Sequence, residues 1–259
     1  MHIQHQYAIK YLMKELINIV QLRSTIFLNQ NIGYTPENAE KFRALLMPDS
    51  KIYGINQTNI PIFGVNPNMP QYGMPWRLFK RSTNEEYNIA FLPGKIDIVL
   101  EKEASYGDDT EINFCKKSIE WFSDIIETQD NFFATRIAYA PLYSISKNNE
   151  YYEKPIWSNL LKNTIFNGIQ ARDINLSFLL KKQINFNGRD IQMNFLHNIF
   201  DGNKIKNEGT LQIANEVLLL QLDLNSIPED HLSLRRKGIE DFFSNILDIK
   251  CELIDDVTK

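Results

Sequence analysis

Histidine, cysteine and acidic side chains are where acid–base or metal chemistry would be sought, and here they are sparse or scattered. The four histidines are His2, His5, His197 and His231. No two of them stand four apart with a glutamate between, the spacing that turns two imidazoles of one helix onto zinc. A metal-assisted hydrolase would need His197, His231 and a carboxylate such as Asp223 to be gathered by the fold. Cys115 and Cys251 are too few and too distant for a zinc site or a disulfide framework, and read as reduced, buried thiols.

Carboxylates are plentiful, but none stands out. Asp108-Asp109 reads as a helix cap, Asp97 between Ile96 and Ile98 as a solvent-facing strand residue, and Asp223 as the polar neighbour of a leucine face. The sequence holds no phosphate-binding glycine loop, dinucleotide fingerprint, serine nucleophile elbow or catalytic-cysteine signature. No catalytic, cofactor-binding or metal-ligating residue is nominated, and a non-enzymatic protein is the expectation.

Basic residues carry the partner information. Lys181-Lys182, Arg189, Lys204, Lys206 and Arg235-Arg236-Lys237 all fall in the second half. Lys181, Lys182, Arg189, Arg235, Arg236 and Lys237 are the candidates for contact with nucleic acid or an acidic protein partner. The last three are expected in the first turns of a helix, where cations oppose the dipole. The formal net charge of -4 argues against a nucleic-acid binder by bulk charge, though not against a local basic face.

A hydrophobic fraction of 43% with 12% aromatics fills a core, and 23% charged residues is ordinary for a soluble protein. The N-terminus lacks the basic start and apolar run of a secretory signal, and no stretch approaches the roughly 20 apolar residues of a membrane helix. A cytoplasmic protein without membrane contact is expected. Abundant Asn, Ile and Lys with scarce Ala point to an AT-rich bacterial or phage genome.

The elements that must position any site start from a hairpin. Tyr87, Ile89 and Phe91 alternate with smaller or polar neighbours, Ile96, Ile98 and Leu100 return, and Pro93-Gly94 supplies the two backbone conformations of a type II turn. Before it, Tyr7 to Ile19 leaves helix and strand in competition, and Ile17 to Leu28 reads as a strand with Ser24 breaking an apolar parity. Thr35-Pro36 opens a short helix bearing Ala39, Phe42, Leu45 and Leu46. The proline-rich Ile52 to Trp76 reads as an extended edge or loop, with Trp76 to Lys80 opening a strand.

After the hairpin, Ile112, Cys115, Ile119, Phe122 and Ile126 form a helical stripe, and Phe132 to Ile145 reads as a strand ending near Pro141. Ser146 to Pro155 lacks periodicity and reads as a linker. Ile156 to Phe166 reads as a helix, Ile174 to Leu180 as a strand, Asn187-Gly188 as a hairpin turn, and Asp201-Gly202 as a further turn. Val217 to Leu224 is a strand, Pro228 opens a helix through Ile239, Phe242, Phe243 and Ile246, and Ile249 to Ile254 closes as a strand.

Both halves would then end strand, helix, strand, and the helices around Ser118–Ile126 and Lys237–Leu247 share a cadence that fits a weak duplication. The expected fold is α+β, with two antiparallel sheet units covered by helices on one face, in the strand order of a duplicated ferredoxin-like protein. The units are 1–145 and 156–259, with 146–155 between them.

The N-terminal strand, short helix, Pro-Gly hairpin, helix, the strand around Thr135-Arg136-Ile-Ala-Tyr139 and the late Leu-Gln-Leu-Asp-Leu224 strand resemble a sporadically distributed family of uncharacterised bacterial proteins. Ala138 departs from that pattern, where a larger or basic residue is expected. The resemblance implies a patchy, mobile-element-like distribution and carries no site residues. Tandem ferredoxin-like units with a basic face also resemble RNA-binding and RNA-processing proteins of CRISPR systems, without their glycine-rich loop. The expected function is a binding or adaptor protein of a bacterial mobile-element or defence locus, acting through a protein partner or a homo-oligomer. The rivals are an RNA-binding or RNA-processing protein and the metal-assisted hydrolase.

Overall fold

In the computed structural model the described residues are 17–55, 72–107, 109–146, 175–186, 189–208, 211–227 and 232–258. They form a mixed structure dominated by one large antiparallel sheet. Its strands are β1 (Ile17–Leu28), β2 (Lys51–Gly54), β3 (Trp76–Arg81), β4 (Glu86–Leu92), β5 (Lys95–Ser105), β6 (Ala134–Tyr139), β7 (Leu142–Ser146), β8 (Asn175–Phe186), β9 (Arg189–Glu208) and β10 (Leu211–Ser226). The order across the sheet is β2-β3-β4-β5-β1-β6-β10-β9-β8, with β7 pairing β1 and β10. Strands from before and after residues 147–155, which lie outside the described residues, therefore share one hydrogen-bonded path.

β1 lies near the middle of that path because its apolar residues serve a face that must be covered. Ile17 and Ile19 are buried at odd positions, a bulge between Ile19 and Gln21 shifts the register, and Leu22, Ser24, Ile26 and Leu28 are buried at even ones. Val20, which shares the parity of Leu22 and Ile26 in sequence, is therefore only half-buried. Ser24 joins it, because its hydroxyl pairs with that of Ser118 at 2.8 Å.

The hairpin forms as expected. Leu92 pairs Lys95, and Gly94 takes a positive φ of 67°, which a side chain would oppose. Among the described residues three helices lie on one face: α1 (Pro36–Leu46), α2 (Asp109–Glu127) and α3 (Arg236–Thr258). Thr35 caps α1 by accepting from Asn38 N at 3.0 Å, and Phe42 packs on Phe91, which stacks on Trp76 at 4.0 Å. Leu45, expected on that stripe, is exposed instead.

In α2 the buried stripe is Glu111, Phe114, Cys115, Ser118, Phe122, Ile125 and Ile126. It is rotated from the expected one, and Ile112 turns to solvent. The rotation follows from Glu111, whose carboxylate finds partners inside.

One row of residues maps the covered face. Leu78, Ile89, Ile98, Ser24, Tyr139, Leu224, Phe195 and Leu180 lie side by side from β3 to β8. The first seven are 0–2% exposed, and Leu180 is 51% exposed.

Several sequence expectations are corrected. The strand expected over Phe132 to Ile145 is two, broken at Pro141, whose carbonyl accepts from Leu222 N at 3.1 Å. Asp201-Gly202 is no turn but the interior of β9. Glycine leaves room there for Leu219, whose Cδ1 would lie 2.5 Å from a Cβ on Gly202 and would have to shift. The last helix starts at Arg236, not Pro228, since Leu234 is still held in a β-bridge to Ala134.

The closing strand over Ile249 to Ile254 does not form. α3 continues through it, because Ile249 and Lys250 extend the buried three-four spacing of Ile239, Phe242, Phe243 and Ile246. The strand-helix-strand ending expected of the second half is therefore absent. The expected helix over 156–166, the 187–188 turn, and residues 7–16 and 56–71 lie outside the described residues, although Phe186 and Arg189 pair across the turn.

Candidate binding surfaces

The densest chemistry in the described structure is a buried group built on α2. Glu111 is 4% exposed, and its Oε1 accepts from the hydroxyls of Tyr139 and, at 2.9 Å, Tyr143. Its Oε2 accepts from the ammonium of Lys250 on α3, itself 4% exposed and 4.9 Å from the centre of the Tyr106 ring. Each charge is thus paired and hydrogen-bonded, the condition under which an ion pair survives burial.

Burial, helped by the Glu111 charge, holds the Tyr139 and Tyr143 hydroxyls well above the ordinary tyrosine range. The same two causes push up the Cys115 thiol, with burial the larger. A thiol so held is a poor nucleophile. The group ties α2, α3, β6 and β7 together. The sequence does not reveal it because Glu111 and Lys250 are 139 residues apart, the first placed at a helix start and the second in an expected closing strand.

Of the residues proposed for a metal site, His197 and Asp223 are not brought together. His197 on β9 pairs across to Leu222 on β10 and is buried on the helix-covered side. Asp223, one residue on, projects from the opposite face of the sheet. His231, His2 and His5 lie outside the described residues. Among the described residues no group of three His, Cys, Asp or Glu could hold a metal ion. His197 Nε2 has no partner there, and burial lowers its pKa.

Asp97 was expected to face solvent. It is 8% exposed, accepting from Thr25 Oγ1 at 2.7 Å and from Lys95 at 3.2 Å.

The six basic candidates separate into two groups. Arg235 donates to the Asp130 carbonyl at 2.6 Å, and Arg236 reaches Glu127 at 3.1 Å and Asp124 at 3.8 Å. Both are spent on the C-terminal end of α2, where cations complement the dipole even as they burden the start of α3. Lys237 is exposed beside them.

Lys181 and Lys182 are exposed on β8, and Arg189 begins the neighbouring strand. No family model, curated protein or solved structure matches the chain.

The surface that the sequence did not single out is the edge at β8 itself. This strand has 12 residues, an unbroken register with β9 and no other partner among the described strands. Leu179 is 58% and Leu180 51% exposed there, followed directly by the two lysines. The opposite edge, β2, has only 4 residues. Among the described residues, no helix is long and apolar enough to cross a membrane.

Proposed function

We propose that the chain is a non-enzymatic binding protein, a cytoplasmic adaptor of a bacterial mobile-element or defence locus, that takes up an extended segment of a protein partner along β8. The observation that carries this reading is Leu180, the one exposed member of the apolar row that begins at Leu78. An added strand would continue that row and satisfy the outward amides and carbonyls of a long edge.

Charge complementarity favours an acidic segment. Pairing β8 with its own copy about a two-fold axis at Leu180 or Lys181 sets the two Lys181 side chains diagonal to or directly opposite one another on the same face, which disfavours a homodimer. A strand with two apolar residues beside two acidic ones meets Leu179 and Leu180 with apolar groups and Lys181 and Lys182 with carboxylates. The order β4-β5-β1-β6 supports reading Ile17 to Tyr139 as a ferredoxin-like unit with β2 and β3 added at its edge.

The test is fluorescence anisotropy with labelled extended peptides that carry two apolar residues beside two acidic ones, run beside size-exclusion chromatography with absorbance at 260 and 280 nm. Saturable peptide binding, weakened about tenfold by Leu180→Lys in a variant that keeps its circular dichroism, supports the reading. A dimer lost on the same substitution replaces the peptide with a second copy. A 260 nm signal that collapses with salt replaces it with nucleic acid.

A further inference from the structure

A concavity lies on the covered side of the sheet, between the central hairpin and the first half of α2, with a volume of about 270 Å³. Buried Tyr87 and Leu100 line it, together with Lys102, Lys116 and Lys117 and the carboxylates Glu85 and Glu120. That size is just below the roughly 300 Å³ at which sites for drug-sized ligands begin, so it suits a smaller molecule.

Among its charges only Lys102 and Glu85 pair, and only as a loose ion pair. Lys117 sits 4.4 Å from the Tyr87 ring centre and gives one donor to the Tyr87 hydroxyl at 3.2 Å. That holds the ammonium in place while its other two donors stay available. Lys102 approaches Glu85 only to 4.0 Å, beyond hydrogen-bond reach, and Lys116 has no partner among the described residues. Three cations against two carboxylates leave a net positive concavity, and low-dielectric walls focus such a field. The opening turns of α2 line it too, through Thr110 and Asn113, and add the positive end of a helix dipole.

We infer that this cleft binds a small phosphorylated polyol, of sugar-phosphate to mononucleotide size. The phosphate lies against Lys116 and Lys117, the body rests on Tyr87 and Leu100, and its hydroxyls donate to Glu85 and Glu120. The inference is independent of strand addition at β8, which lies at the far edge of the sheet.

Isothermal titration calorimetry of the full chain with ribose 5-phosphate and AMP, and with inorganic phosphate alongside, tests it. The expected result is saturable binding of at least one ester, weakened about tenfold by Lys117→Met and also by Lys116→Ala, an exposed position where folding is not at stake. Leu180→Lys leaves it unchanged. Absence of saturable heat with both esters overturns the inference, as does equal binding by the lysine variants. So does an affinity for inorganic phosphate equal to that for the esters, since the glutamates and the apolar floor would then contribute nothing.

Discussion

Glu111 and Lys250, on different helices, meet as an ion pair in which both side chains are 5% exposed. Removing one partner strands the other's charge in the core. Lys250→Met should therefore destabilise the fold by about 3–5 kcal/mol, and Glu111→Gln with Lys250→Met should lose clearly less than the sum of the single changes. Urea denaturation of the three variants measures this. Equal and additive losses would show that the two charges are not coupled.

His197 sets a pH dependence. Its folded pKa lies below the ordinary value of 6.5, so the unfolded chain binds the proton more readily. The stability tied to the neutral ring is complete above 6.5 and falls away as pH drops toward the folded value. The urea midpoint should decline on acidification from pH 7 through this window, and His197→Phe should flatten that decline. A variant with an unchanged pH profile would clear His197 of the effect.

Cys115 should be inert while the chain is folded, since burial and Glu111 both oppose its thiolate. In a Cys251→Ser background, a thiol-specific disulfide reagent should react at a rate set by unfolding. Adding denaturant below the transition should speed the reaction. Rapid labelling in plain buffer would mean that the thiol is reached without unfolding.

Gly202 tests the close approach of β9 and β10. Alanine there meets Leu219 Cδ1 at 2.5 Å and should cost about 1 kcal/mol despite the better strand propensity of alanine. Leu219→Ala in the same chain should recover that loss, read as the thermal midpoint of the double variant against Leu219→Ala alone. Failure to recover would place the strain in the backbone.

Local chemistry was legible in the sequence wherever one segment decides its own shape. Pro93-Gly94 dictates its turn and Thr35-Pro36 its helix start, because cap and dihedral preferences act within a few residues. The rest is tertiary. Ile249-Lys250-Cys251-Glu252-Leu253-Ile254 alternates well enough for a strand, and it is helical because Ile249 and Lys250 find the core from α3. Gly202 reads as punctuation until the facing Leu219 is known. Arg236 looks available until Asp124 and Glu127 are seen across from it. Glu111 looks like a dipole partner and is a buried anion.

The unequal edges of the sheet limit how copies could assemble. Among the described strands, only β8 is long enough to template another strand, while β2 offers four residues. Strand pairing therefore has one terminus to use, and using it leaves no equivalent site for the next copy. Any assembly made this way closes at two members instead of growing into a fibre.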